Sequence, residues 1–143
     1  MKTAEKSASK YVLFIDTASE ETFVAIFKGS AILDSNKWNG GNVLSETLLV
    51  NIEKLLKNSK ITLQDLEKIA VFSGPGSYTG LRIGVTTANF LGWTLEIPVA
   101  DSKVINGKLL TNKIFTKKTI LPKYLNRPQI TQSKKDKIAS LDI

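Results

Sequence analysis

The sequence predicts an α/β domain, a central mixed sheet of about five strands with helices packed on it, and three observations carry this. Short apolar runs at residues 11–17, 21–27 and 69–72 alternate with longer stretches of helical periodicity at 43–57 and 79–93. A glycine- and proline-rich segment joins the third of those runs to the second helix. With 143 residues and 42% hydrophobic side chains, the chain has material for one core and no room for two full ones.

Residues 11–17 are apolar or aromatic up to Asp16-Thr17, the pattern of a buried strand. Over 21–27, Thr22, Val24 and Ile26 alternate with Phe23, Ala25 and Phe27, and Ser19-Glu20 makes a tight hairpin between the two strands. Lys28-Gly29-Ser30 is a second turn, leading to a partly exposed third strand at 31–38. Three antiparallel strands are therefore expected at the start. After the break Asn39-Gly40-Gly41-Asn42, residues Val43, Leu44, Leu48, Ile52, Leu55 and Leu56 fall on one face of a helix that runs to about Lys57. Asn42 is its expected cap, with Ser45-Glu46 in the first turn. Thr62-Leu63-Gln64-Asp65 has the form of a capping box opening a short helix before a strand at 70–73, and 99–101 is the expected fifth strand.

The most informative stretch is Ser73-Gly74-Pro75-Gly76-Ser77-Tyr78-Thr79-Gly80-Leu81-Arg82-Ile83-Gly84. It reads as strand, tight turn and helix, because glycine permits close backbone approach and the helix start points unpaired amides back at the loop. Such a loop can hold an anion or simply make a turn. A phosphate-cradling P-loop needs Gly-Lys-Ser or Gly-Lys-Thr, and here Leu81-Arg82 follows Gly80, which excludes it. A dinucleotide fingerprint fails too: after Gly74 and Gly76 the third glycine comes one residue late, and Pro75 removes an amide donor. Asp101 is a weak match for that fingerprint's ribose-binding acid. Within the helix, Gly80, Gly84, Ala88 and Gly92 recur at every fourth residue, and each mid-helix glycine costs about 0.5–1 kcal/mol relative to alanine. Close packing offsets that cost, either against another subunit's helix or against this chain's own sheet.

Charge is unevenly distributed. Residues 1–101 hold ten lysines and arginines against eleven acids, whereas 102–143 hold ten against two, nine of the ten being lysine. The basic surplus fits either contact with RNA phosphates or a solvated extension. The chain contains no cysteine, so disulfides, thiolate nucleophiles and sulfur metal sites are excluded. It also contains no histidine, which removes the usual general base and the commonest metal ligand. Ser73 and Ser77 flank the glycines, but no imidazole is present to activate them and no Gly-x-Ser-x-Gly elbow surrounds them. The polar, lysine-rich first ten residues have no apolar stretch suited to a signal peptide, and no membrane-length apolar run occurs, so the expectation is a cytoplasmic protein with no membrane partner.

The twelve-residue glycine segment, in its context of Phe14-Ile15-Asp16-Thr17-Ala18, Leu44-Ser45-Glu46 and Ile97-Pro98-Val99, resembles the signature of the TsaB (YeaZ, glycoprotease-like) family of tRNA threonylcarbamoyladenosine biosynthesis. The resemblance implies the N-terminal half of an actin/sugar-kinase-like (ASKHA) fold at 1–101. It further implies a remnant of the second half at 102–128, where Leu121-Pro122-Lys123-Tyr124-Leu125-Asn126-Arg127 is similar to a family Pro-x-Tyr-x-Arg segment. A basic, flexible tail is expected at 129–143.

By the same resemblance the chain is a non-catalytic scaffold for a TsaD-like threonylcarbamoyltransferase, joined by a TsaE-like ATPase. It would meet tRNA indirectly or through the basic tail, and pair with itself when alone. TsaD holds its metal with a His-x-x-x-His pair that this chain cannot supply. No cofactor of its own is implied; ATP or ADP and a metal belong to the assembled complex. The partner face is expected on the two helices, at Leu44, Leu48, Ile52, Leu55, Gly80, Gly84, Ala88 and Gly92, so that Gly84→Leu should abolish association and spare the fold. Asp16 stands where superfamily kinases hold metal and phosphate with a glycine close behind. Here Ala18 occupies that stretch, leaving Asp16 to cap the turn or touch a nucleotide shared with a partner. The alternatives are a stand-alone nucleotide-binding fragment of the superfamily and an RNA-binding accessory module.

Overall fold

Four consecutive buried residues, Val12 to Ile15, place strand β1 (Tyr11–Asp16) at the centre of the sheet, where both faces are covered and the period-two alternation of a half-exposed strand disappears. The computed structural model describes residues 11–111. β2 (Glu21–Lys28) runs back antiparallel to β1, from Tyr11↔Lys28 to Asp16↔Phe23, and β3 (Ala31–Asn39) pairs antiparallel with β2 at the edge. Helix α1 (Leu44–Asn58) carries the chain across to β4 (Leu66–Val71), which lies parallel to β1. Helix α2 (Tyr78–Leu95) then crosses to β5 (Val99–Ile105), parallel to β4, and β6 (Lys108–Thr111) turns back antiparallel. The sheet order is β3-β2-β1-β4-β5-β6.

The alternation of side chains sorts two cores. Leu13, Ile15, Val24, Ile26, Ile69 and Val71 point to the face that carries both helices and meet Leu48, Ile52, Leu55, Val85, Ala88 and Leu91. Val12, Phe14, Ala25, Phe27 and Ala70 point the other way, where Phe23, Val104 and Leu109 close over them. Phe14 packs edge-on to Phe27 at 6.5 Å and tilted to Phe23 at 5.9 Å, arrangements that suit the ring quadrupoles. This second core exists because the sheet curls, bringing β6 round towards β3.

Several boundaries differ from expectation for identifiable reasons. Asn42 makes no cap: one 3₁₀ turn, Gly41–Val43, precedes α1, the cap position belongs to Val43, and no side chain caps it. Within the first turn the Thr47 hydroxyl donates to Val43 O at 2.8 Å and accepts from Trp38 Nε1 at 3.0 Å. The capping box is present, with Thr62 N–H donating to Asp65 Oδ2 at 2.8 Å, but it opens a single 3₁₀ turn, Leu63–Asp65, which passes directly into β4. The sheet has six strands where about five were expected. The boundary expected after residue 101 lies inside β5. The Pro-x-Tyr-x-Arg segment, the tail at 129–143 and residues 1–10 lie outside the described residues.

α2 ends on Glu96, whose φ of 57° is left-handed; its N–H and that of Ile97 close the last turn on Gly92 O. Glycine takes this conformation without strain, and Glu96 is solvent-exposed. Glu96→Gly is therefore expected to stabilise the protein by roughly 0.5–1 kcal/mol in urea unfolding. A lower midpoint at unchanged denaturant slope would show that the Glu96 side chain contributes more than its backbone costs.

Candidate functional site

The glycine motif leaves β4 through Ser73, whose N–H donates to Asp101 Oδ1 at 3.1 Å across to β5. Asp101 is buried and turned into the fold, so it is not a ribose acid. At Gly74 the chain takes a φ of 116°, and the Gly74-Pro75 bond is cis. It then meets the turn that follows β1. Ser77 N–H donates to Ala18 O at 2.9 Å, and a side chain at Gly76 would collide with Ala18. Ser77 caps α2, its hydroxyl accepting from Gly80 N–H at 3.0 Å, and the Thr17 hydroxyl donates to Gly80 O at 2.6 Å. Any Cβ at Gly80 would strike the Thr17 carbonyl, and one at Gly84 the Thr17 side chain.

The loop amides of Ser77, Gly80 and Leu81 are thus bonded within the chain, and of the two uses open to the loop it makes the turn. Tyr78, Thr79 and Arg82 face outward, the guanidinium 6.0 Å from the Tyr78 ring centre.

The row of small residues has the same explanation along its length. Gly80 and Gly84 admit Thr17, Ala88 is fully buried in the helix-side core, and Gly92 admits Val99 and the Ile97 carbonyl. Leu44, Leu48, Ile52 and Leu55 form the buried stripe of α1 against the sheet. The eight residues expected to contact a partner therefore hold this chain's own core together. Gly84→Leu would damage the fold itself. Other residues occupy the outward surfaces of these helices: Leu49 (52% exposed) and Val50 (51%) on α1, Phe90 (54%) and Trp93 (80%) on α2. Leu49 also edges a groove of about 490 Å³ with apolar walls of Ile52, Leu56, Ile61, Leu63 and Leu91 and with Glu53 and Lys57 at its rim. Sequence reading missed this surface because the inward stripe absorbed the helical periodicity, although four large apolar residues outside that stripe were a usable signal.

Asp16 closes β1 and caps the turn, its Oδ1 accepting from Ala18 N–H at 3.0 Å. Burial pushes its carboxyl above the ordinary value of 3.8, and the Ala18 bond pulls the other way. Asp16 lines a cleft of about 520 Å³ in the hollow of the curled sheet, with Phe14 and Phe23 as apolar walls, Glu21 and Lys37 as charged neighbours and the β5–β6 hairpin opposite. Lys37 Nζ lies 5.6 Å from the Phe23 ring centre. Among the described residues no three Asp or Glu side chains come together as a metal site would require. No described helix is long and apolar enough to cross a membrane.

A curled mixed sheet with two helices on one face and a carboxylate at the end of its first strand defines an α/β domain of the actin/sugar-kinase type. The family model for TsaD, the tRNA N6-adenosine threonylcarbamoyltransferase, matches residues 42–125, and the chain belongs to this TsaD-like family as a TsaB/YeaZ member. It is similar to the tRNA threonylcarbamoyladenosine biosynthesis protein TsaB of Buchnera aphidicola subsp. Schizaphis graminum, 37% identical over 109 residues, covering 76% of this chain and 50% of the relative. TsaB of Bacillus subtilis is 36% identical over 89 residues, covering 62% and 39%. A Bacillus anthracis tRNA N6-adenosine threonylcarbamoyltransferase is 33% identical over 119 residues, covering 72% and 35%. Among solved structures, a Pseudomonas aeruginosa protein described as similar to peptidase YEAZ superposes with a TM-score of 0.59 at 29% identity, covering 63% of this chain and 41% of that one. The chain spans half or less of the length of these relatives.

Gly84→Ala is expected to destabilise the protein by about 1–3 kcal/mol through overpacking on Thr17, and Thr17→Ala in the same chain should recover part of that loss. Strictly additive effects in a double-mutant cycle would refute the contact. For Asp16, a folded pKa above 3.8 means the folded state holds the proton more tightly, so this group's contribution to stability falls as pH rises through the window between the two values. Asp16→Asn keeps an acceptor for Ala18 and carries no charge. Its stability gain over wild type should be largest near neutral pH and shrink as pH falls towards 3.8; a difference that does not vary with pH in urea titrations would contradict the shift.

Proposed function

We propose that this chain is a non-catalytic subunit in N6-threonylcarbamoyladenosine modification of tRNA, docking a TsaD-like threonylcarbamoyltransferase on the outward faces of α1 and α2. The supporting observation is the set of large apolar residues there, Leu49, Val50, Phe90 and Trp93, with an apolar-walled groove edged by Leu49, on an otherwise polar helical layer. Proteins named TsaB and proteins named as the transferase both match this chain, so a transferase of the related fold offers an equivalent helix pair. Two such layers packed face to face bury both apolar surfaces, and the same geometry serves a second copy of the chain when no partner is present. The lack of imidazole and thiol groups supports a reading in which bond-making belongs to the partner. ATP or ADP, a metal ion and a TsaE-like ATPase enter with the assembled complex.

A second reading, a nucleotide-binding fragment acting through Asp16, draws on the cleft at the end of β1. Calorimetry of the isolated chain with ATP separates the two, since binding without a partner favours the second. The docking face is tested by co-purification with the TsaD-like subunit of the same organism. Trp93→Asp, at a side chain 80% exposed and so neutral for the fold, is expected to weaken association by roughly thirtyfold, the loss typical of an aromatic anchor. Wild-type chain that does not associate, or a variant that associates as well as wild type, defeats the proposal.

A further inference from the structure

The β5–β6 hairpin is a two-stranded ribbon with two different faces. Residues 102–111 run past the last pairing of β5 with β4 and, among the described residues, pair with one another, from Ser102↔Thr111 to Ile105↔Lys108. Asn106 and Gly107 form the two-residue loop with φ of 53° and 76°, as a type I′ turn requires. Val104 and Leu109, directly opposite each other, anchor one face in the second core. Side-chain alternation puts Lys103, Ile105, Lys108 and Leu110 on the other face, and all four are exposed, Ile105 at 45% and Leu110 at 43%. The two lysines sit diagonally across the ribbon, about 7–8 Å apart at the backbone.

The surroundings favour a polyanion. Asp101, the residue before the ribbon, is buried and holds Ser73 N–H at 3.1 Å, so it adds no exposed negative charge beside Lys103. Asp16 and Glu21 lie on the anchored side of the ribbon, in the cleft with Val104 and Gly107. From Ser102 to Lys135 the sequence has nine basic residues and no acid, and the ribbon begins that stretch.

We infer that the outward face of the β5–β6 ribbon is a contact surface for an RNA phosphodiester backbone, Lys103 and Lys108 neutralising phosphates while Ile105 and Leu110 lie against sugar. The choice of RNA rests on the tRNA-modification reading above. An anionic lipid surface is the competing source of phosphate, and the experiment separates them.

The full chain is titrated against a transcribed tRNA, followed by fluorescence anisotropy between about 50 and 200 mM salt, and against vesicles of phosphatidylcholine with phosphatidylserine. Wild type should bind tRNA with an affinity that falls steeply with salt. Lys103→Gln with Lys108→Gln should weaken binding roughly tenfold and flatten the log–log salt slope by about 1.4–1.8, at 0.7–0.9 per phosphate contact. Ile105→Ser should leave the slope unchanged. An unaltered slope in the double variant, or vesicle binding in place of tRNA binding, overturns the inference. Because no subunit is needed, tRNA binding that persists where transferase association fails would fault the scaffold reading alone.

Discussion

The fit of Thr17 into the notch of Gly80 and Gly84 is the constraint on which the arrangement of this molecule depends. It fixes the first two turns of α2 against the turn after β1, with the Thr17 hydroxyl on Gly80 O, Ala18 O on Ser77 N–H and no space for a side chain at any of three glycines. Asp16 and the helix thereby become one rigid unit. The polar end of the central strand and the outward helix surface cannot shift independently, because no slack separates them.

This contact also gives the glycines before the helix a structural use. The amides of Ser77, Gly80 and Leu81 are bonded within the chain, and the glycines admit the neighbouring turn at Thr17-Ala18. The motif's chemistry is therefore mainly steric. Its exposed members are Pro75, Ser77, Tyr78, Thr79 and Arg82.

Much of the fold was legible in local pattern. The continuous apolar run of β1, the alternation of β2 and the stripe Leu44, Leu48, Ile52, Leu55 each announce their element, because period and burial coincide there. The small-residue row was legible as a close approach but not as to its neighbour, since Thr17 is some sixty residues away in sequence and only tertiary structure brings it near. That ambiguity led the sequence reading to place the partner face on the buried side of both helices. The sixth strand lies beyond the about five expected, although Asn106-Gly107 between Val104-Ile105 and Leu109-Leu110 is a strong hairpin signal. Asn42 illustrates the opposite failure: a residue of good capping type lies inside the 3₁₀ turn that leads into the helix, which puts Val43 at the cap position.

The position of β1 between an antiparallel and a parallel neighbour has a consequence for biosynthesis. β1, β2 and β3 form a local meander that can assemble as soon as it leaves the ribosome, but β4 reaches the far side of β1 only after α1 has been made. Until then the nascent chain displays an open backbone edge flanked by Leu13 and Ile15. The interval between synthesis of β3 and of β4 is thus the period in which this chain most needs shielding from other unfinished chains.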